Sequence, residues 1–561
     1  MASDGNGCVK DSSTEESHPF GVDDILTEIG EFGKFQRLIY IIIFLVVIFN
    51  AVISVGFAFT ASTVTYRCRV PECDGSENLY EKPWTDFSIP KTVAGRIDSC
   101  QRYKSFNSSK DGQQYCTAEN YDQELQTDCG HDFIFRDEEV TISNDFKIFC
   151  SDEWKLAMVG TINNLGQFIG IPLGGLISDR YGRRLVIVLG TLISAVLGTA
   201  RSFSPNYTIF LILGFLDNLF GSNLYATVFI LGLEIVGPKA RVPACTLISM
   251  CGGIGGFLLA VVAKQFHDWR LIERAFYVPA LGFIVLPWIL PESFRWLLSQ
   301  GEEEEAVQTL QKLAKVNNRK LSESSIQKLL EANRQNVPDD KTEENSSQLV
   351  DAFKIFPWRI LNCSFCWFTN VMVFFGLNLN SAFLGGDKYN SFMCVTLIEL
   401  PGMILPFLTM NRFGRRYSLF GFMFLSGAFI TAMSYVSAEY VTLQLVLYLF
   451  GKMAISASFQ TLYFFTSEVF PTSVRNSLLS FCSMVGRFGS MVAPQTPLMA
   501  KYYASAPALL FASCSLLSGS LALFLPETKG MILPSTLKDA IGQKEVDVEP
   551  ETEEKLLESK V

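Results

Sequence analysis

Apolar residues in this chain come in long uninterrupted blocks, without the 3.6-residue or two-residue spacing of a half-buried surface. The first block, residues 38–64, reads LIYIIIFLVVIFNAVISVGFAFTASTV and carries no charge. A helix rises about 1.5 Å per residue, so about 20 such residues cross the hydrocarbon of a bilayer. About 37 mostly polar residues precede this block, and it is too long for the apolar region of a signal peptide, so it reads as a permanent span. The remaining blocks predict spans at 156–177, 185–202, 208–235, 242–265, 271–291, 359–380, 392–410, 418–437, 441–466, 478–500 and 507–526, twelve in all. Long polar stretches follow only the first and the sixth, which gives a six-plus-six plan.

The predicted organisation is an N-terminal segment (1–37), a first transmembrane helix (38–64), a loop (65–155) and the rest of a six-helix bundle (156–292). A second loop (293–358), a second six-helix bundle (359–526) and an acidic tail (527–561) complete it. In the second loop, GEEEEAVQTLQKLAKVNN and SSIQKLLEANRQ have apolar residues at helical spacing and predict short amphipathic helices. NVPDDKTEENSSQ reads as a flexible linker, and the first 20 or so residues and those after about 530 as disordered.

Lys and Arg gather in the short loops on one side: DRYGRR (179–184), GPKAR (237–241), NRFGRR (411–416) and PTSVR (471–475). The short alternate loops, such as SFSPNYT and SAEY, are nearly free of Lys and Arg. The excess of Lys and Arg predicts that the basic loops and both termini are cytoplasmic. Cysteines add a second argument. Cys68, Cys73, Cys100, Cys116, Cys129 and Cys150 all fall in the loop after the first span. That loop is extracellular by the charge rule, and an even number of cysteines there predicts three disulfides, with fifteen pairings open. Asn107, in Asn-Ser-Ser, is a glycan acceptor in the same loop. The sequons at Asn345 and Asn362 fall in the inner loop and in a span, and are discounted.

Composition narrows the class further. Hydrophobic residues make up 49% of 561 and charged residues only 18%, below the roughly 25% of a soluble domain. The net charge of −10 comes from the soluble pieces, notably EPETEEKLLESKV, and no basic tract suits nucleic acid. With three His and no phosphate-binding glycine loop, metal-ligand cluster or nucleophile–base set, neither an enzyme nor a cofactor or metal is expected.

The chain also repeats itself. Asp179-Arg-Tyr-Gly-Arg-Arg184 returns as Asn411-Arg-Phe-Gly-Arg-Arg416. Glu234, seven residues before Arg241, returns as Glu468 before Arg475, and Pro291-Glu-Ser returns as Pro526-Glu-Thr. The three offsets, 179 to 411, 234 to 468 and 291 to 526, nearly agree. Each element suits the inner end of a span. The glycine serves a tight connection, and Arg180, Arg183, Arg184, Arg412, Arg415 and Arg416 can meet carboxylates, lipid or helix C-termini. Glu234 and Glu468 lie within reach, so charge clasps that hold an inner gate shut are expected, the alternative being charges that only fix topology.

The paired DRYGRR and NRFGRR loops resemble the signature of the major facilitator superfamily. More narrowly, the chain resembles the organic cation, anion and zwitterion transporters, solute carrier family 22. The likeness rests on GEFGKFQ (30–36), the cysteine-bearing loop, DEWKL (152–156), HDWR (267–270), PESFRWLL (291–298), ELPG (399–402), SEVFPTSVRN (467–476) and LPET (525–528). It implies an all-α membrane protein: two pseudo-symmetric six-helix bundles, a central site, and rocking alternating access.

Charges inside spans are candidates for that site. Asp217, Glu399, Lys452 and Arg487 qualify. The resemblance places Arg487 where anion and carnitine-type carriers have Arg, which favours a carboxylated substrate, gripped by two parallel hydrogen bonds. Glu399 matches an acidic position of cation and zwitterion carriers, and Met403 stands where many anion carriers have Lys. Glu399 is alternatively the partner of Arg487 or of Lys452. Tyr225, Phe229, Trp367, Phe368, Phe374, Phe375 and Tyr463 match cavity positions or their neighbours, and their rings could hold an ammonium group, while Gln460, at another matching position, could hydrogen-bond substrate or join helices. Packing is the plainer role for each.

Gly214 occupies a position where many superfamily members have Arg; three residues on, Asp217 is a candidate coupling group or a partner of Arg274. The ending Ser559-Lys-Val561 fits a ligand of PDZ domains. The expected partners are thus a small organic ion, membrane lipid and a PDZ protein. An organic-cation carrier and a non-transporting receptor or adhesion protein remain open.

Overall fold

In hydrocarbon a backbone must satisfy its own hydrogen bonds, so an apolar block folds as a helix. The computed structural model describes residues 21–74, 79–91, 97–106, 116–130, 132–335, 350–381, 384, 386–437, 439–471, 474–500, 503 and 505–529. Asn107, the linker 336–348, the Ser559–Val561 ending and the predicted disordered ends lie outside them. Ten helical segments are long and apolar enough to cross a membrane: Lys34–Thr60, Cys150–Tyr181, Arg183–Arg201, Tyr207–Glu234, Pro238–Phe266, Trp269–Ile289, Pro357–Asn380, Lys388–Phe413, Arg415–Ser434 and Val441–Val469. The helices Arg475–Val492 and Ala506–Ala522 follow, where the eleventh and twelfth spans are predicted. Numbered in chain order, they are the first to twelfth spans below. Large apolar side chains face outward from several, Leu176, Leu361 and Leu408 being 62–69% exposed, as on a surface covered by lipid.

Several spans are interrupted where the sequence weakens a helix. The fourth divides into Tyr207–Gly221 and Leu224–Glu234. The sixth tightens to a 3₁₀ turn, Leu281–Val285, directly after Pro279. The eighth divides into Lys388–Leu397 and Glu399–Phe413, leaving Glu399 at the start of the second piece.

The repeat in sequence is a repeat in packing. The first span packs on the fifth, as the seventh does on the eleventh. Third on fourth matches ninth on tenth, and third on sixth matches ninth on twelfth. The two bundles meet through the fifth span against the eighth and through the eleventh against the second, contacts that the same shift of six interchanges. The polar and aromatic contacts that join them gather toward the cysteine loop. Lys264 pairs with Asp387 at 3.0 Å, Gln495 donates to Thr161 at 2.7 Å, and Phe59 stacks on Tyr389 at 5.6 Å.

The cysteine loop is a small module of its own. Strand β1 (Tyr66–Cys68) pairs antiparallel with β4 (Phe133–Phe135), and β2 (Gln101–Ser105) with β3 (Tyr121–Asp128). Three disulfides staple it: Cys68–Cys129, Cys73–Cys116 and Cys100–Cys150. Its Asp145 receives Trp269 Nε1–H at 2.9 Å, and its Glu139 pairs with Lys388 of the second bundle.

At the opposite end, helix Val22–Ile29 buries Ile25, Leu26 and Ile29. They join a cluster with Leu310 and Leu313 of helix Glu303–Val316, the first of the two predicted amphipathic helices, the second being Glu323–Gln335. Asn317 accepts from Phe35 N–H at 2.9 Å and donates to Ile29 O at 3.1 Å, fixing this layer to the first span.

Candidate functional site

The candidate site lies where the tenth and eleventh spans of the second bundle face the fourth span of the first. Gly486 and Gly489 let the eleventh span press on the seventh: a Cβ on Gly486 would lie 3.2 Å from Trp367 O. Phe488 meets Phe168 of the second span at 5.0 Å, so Arg487 stands beside the seam between the bundles. Its side chain is half-buried. Among the described residues its guanidinium makes no hydrogen bond or ion pair. Tyr463 is the ionisable neighbour that interacts with it, and Tyr463 also interacts with Tyr225 across the seam.

Around these groups lies an aromatic wall. Trp367 meets Tyr463 edge-on at 4.5 Å and donates through Nε1–H to Thr466 Oγ1 at 3.1 Å. Phe459, which the sequence reading did not single out, touches Trp367, Phe374 and Tyr463 at 5.4–6.0 Å. Phe374 also contacts Phe375 at 5.4 Å, and Phe368 packs in the same cluster. From the first bundle, Tyr225 stacks on Phe229 at 6.0 Å and shares a 3.2 Å hydrogen bond with Ser249. Gln460 is half-exposed.

Glu399 does not reach Arg487. It pairs with Lys452 at 2.9 Å, and both side chains are almost fully buried. Lys452 Nζ also donates to Phe374 O at 2.9 Å and lies 3.4 Å from the centroid of the Phe374 ring. Of the two partners considered for Glu399, the fold selects Lys452, because the eighth and tenth spans pack directly. One face of Phe374 is thereby taken by a resident cation.

The duplicated charges occupy matched positions at the ends of the bundles. Arg183 pairs with Asp179 at 3.1 Å and with Glu234 at 3.6 Å. Arg415 pairs with Glu468 at 3.0 Å, while Thr528 donates to Glu468 at 2.6 Å. Both sets are internal to one bundle, so in this arrangement they brace each bundle and do not bridge the two. Gly182 and Gly414 turn with φ +100° and +88°. A Cβ at either would strike Glu292 or Glu527, so glycine is required twice over. Those carboxylates accept hydrogen bonds from the first backbone N–H groups of the next helix: Glu292 from Arg183 and Arg184, Glu527 from Arg415 and Arg416, at 2.9–3.2 Å. The repeated Pro-Glu-Ser and Pro-Glu-Thr carried this signal, and the sequence reading assigned it no role.

The other basic residues go elsewhere. Arg184 and Arg416 donate to the carbonyls of Pro287 and Leu525. Arg180 and Arg412 lie over Tyr181 and Phe413. Arg241 pairs with Asp23 of the N-terminal helix, which also takes Arg295. Burial by itself would raise the Asp23 carboxyl, but the two guanidinium groups outweigh it and hold it below the usual carboxylate value. Arg475 donates to Phe470 O at 3.4 Å. Asp217 corrects an expectation: its ionic partner is Arg201 of the third span, at 3.5 Å, whereas Arg274 turns to Ser202.

Apolar helices in two related bundles, with an intramembrane cation that has no partner among the described residues, are the frame of a membrane carrier. Comparison with known proteins agrees. The model of the Major Facilitator Superfamily matches residues 141–533. Solute carrier family 22 member 1 of Bos taurus is 30% identical over 535 residues, covering 92% of this chain and 92% of the relative. Organic cation/carnitine transporter 2 of Homo sapiens is 29% identical over 533 residues, covering 93% and 94%. Among solved structures, the inward open conformation of the xylose transporter XylE from E. coli aligns with a TM-score of 0.55 at 16% identity, covering 72% of this chain and 93% of that one. The chain belongs to the Major Facilitator Superfamily and, within it, to solute carrier family 22. It is a multi-pass membrane transporter, not an enzyme.

Proposed function

We propose that this transporter carries a small organic carboxylate or zwitterion, carnitine-like or derived from an amino acid, by alternating access at the plasma membrane. One observation carries the reading. Glu399 is neutralised by Lys452, while Arg487 stands half-buried beside the seam with no partner among the described residues. A positive charge held there without a partner is costly in hydrocarbon and is relieved by an anion. A carboxylate satisfies it with two charge-assisted hydrogen bonds. Tyr463, Tyr225, Trp367, Phe229 and Gln460 would enclose the remainder, and an ammonium group on a zwitterion would meet the faces of Tyr463 and Trp367.

A second reading, an organic-cation carrier, draws on the aromatic wall and on relatives such as the Organic cation transporter protein of Drosophila melanogaster, 29% identical over 532 residues. It needs an anionic anchor, and Glu399 is already matched. Uptake of radiolabelled carnitine, a dicarboxylate and a tetraalkylammonium, each at two membrane potentials, separates the readings. Each net charge moved feels about 2.3 kcal/mol per 100 mV. The expected result is carnitine uptake without voltage dependence. Uptake of the tetraalkylammonium alone, driven by a negative interior, would sink the carboxylate reading.

The basic loops and both termini would face the cytoplasm, with the disulfide module outside, Asn107 glycosylated and Ser559–Val561 free for a PDZ domain. The Arg183–Glu234 and Arg415–Glu468 pairs would exchange partners across the seam when the cytoplasmic side closes, serving as the inner gate together with Asp179.

A further inference from the structure

A second group of ionisable side chains lies wholly within the first bundle and takes no part in the carboxylate site. Arg201 ends the third span, Asp217 lies on the fourth, and Glu273 and Tyr277 lie on the sixth. Arg201 Nε–H donates to Glu273 Oε1 at 2.8 Å, and its Nη1 is 3.5 Å from Asp217 Oδ2. Tyr277 O–H donates to the same Asp217 oxygen at 2.6 Å and accepts from Arg201 Nη2 at 3.3 Å. Phe210 covers the guanidinium at 5.5 Å. Asp217 is 0% exposed and Glu273 3%, so none of this charge reaches water.

Two acids share one base. Among the described residues, neither of the other two cations nearby forms an ion pair with Asp217 or Glu273. Arg270 is held by Asp145 at 3.0 Å, and Arg274 lies over Phe203 at 4.2 Å and donates to Ser202. From the remaining neighbours, the first span contributes the Phe49 ring against Tyr277, and the second contributes Asn163. Fully ionised, the group would carry an uncompensated negative charge in a low dielectric.

The hydrogen bonds point the same way. Asp217 Oδ1, Glu273 Oε2 and Asn163 Oδ1 are buried acceptors that take no hydrogen bond of normal geometry from the described residues. A proton on either carboxyl supplies a donor and removes the excess charge at once. Gly214 makes room for the arrangement. A Cβ there would lie 2.8 Å from Asn163 Oδ1 and 3.3 Å from Arg201 Nη1. The third span thus delivers its guanidinium to the space a side chain of the fourth would fill.

We propose that Asp217 and Glu273 hold one exchangeable proton around Arg201, and that its release and return regulate transport. Binding is a simple acid–base step: a proton from water adds to a carboxylate oxygen, and no electrons move. With the proton, the group is neutral and the third, fourth and sixth spans stay closed on it. Without it, the excess charge draws in water and loosens their packing. The proposal goes beyond the choice of cargo and does not depend on it.

The test uses the full chain, purified and reconstituted. Infrared difference spectra between mildly acidic and mildly alkaline pH should show the carbonyl stretch of a buried protonated carboxyl in the wild type. That band should be missing from Glu273→Gln and displaced or missing in Asp217→Asn. Radiolabelled carnitine uptake should change by about tenfold over the same pH range, and by less than about twofold in Glu273→Gln. A wild type without the band at neutral pH overturns the proposal, whether or not the variants fold and whether or not carnitine is carried. So does a band that persists unchanged in both variants, because it then belongs to another carboxyl.

Discussion

The two bundles share a packing scheme but bury opposite charge. In the first, one base, Arg201, stands between two acids, Asp217 and Glu273. In the second, one acid, Glu399, is matched by Lys452, and a further base, Arg487, is left over. The surplus differs in accessibility as well as sign. Asp217 and Glu273 are buried among three spans of one bundle. Arg487 stands half-buried beside the seam between the bundles. The two bundles share one frame, and they differ in which buried charges are matched within it.

The largest test of this contrast removes the leftover base. Arg487→Ala should lower uptake of a carboxylated substrate by about 100-fold or more, since each hydrogen bond to a charged group is worth about 1.5–3 kcal/mol. Surface expression should be unchanged, and normal carboxylate uptake would return Arg487 to a structural role. Next, Lys452→Met strands Glu399, and removing one member of a buried pair costs about 3–5 kcal/mol. Thermal unfolding of the purified protein should show that loss, with most of it recovered in Lys452→Met/Glu399→Gln. If the double variant is no better than the single, the pair is not an isolated neutral unit.

A smaller effect examines the shared frame. Glu292→Gln and Glu527→Gln each weaken a carboxylate that caps the helix after a tight turn, at about 1 kcal/mol apiece. Equal shifts in melting temperature are expected; a shift from only one would break the equivalence of the bundles. The smallest concerns a charge that the repeat does not match, Asp179 against Asn411. Asp179 is largely exposed, so Asp179→Asn should leave stability alone and change turnover by about twofold to fivefold, as exposed pairs are individually weak. Unchanged turnover at normal surface expression would remove Asp179 from the gate.

Much of this architecture could be read before any coordinates. The uncharged block 38–64 announces a span, and DRYGRR with NRFGRR announces two related halves. Such features are legible because they are local: a helix in hydrocarbon and a loop at its end follow from neighbouring residues. The partner of a charge is not local. Glu399 could have faced Arg487 as easily as Lys452, and Asp217 could have faced Arg274. Arg201 and Glu273 drew no notice, since each lies near the end of a predicted span, where a charged residue raises no question. Fifteen disulfide pairings were equally possible until the strands of the loop set three.

By itself, then, the sequence determined that the chain is helical, crosses a membrane repeatedly, and repeats its plan near residue 411. Those properties depend on apolar length, on the placement of Lys and Arg, and on glycine at a left-handed turn. Tertiary structure alone decided which intramembrane charges cancel and which is left over. That outcome depends on which spans touch: the tenth beside the eighth matches Lys452 with Glu399, and the third beside the sixth gives Arg201 to Glu273. In a low dielectric a few ångströms of separation settle whether a charge is structural or available.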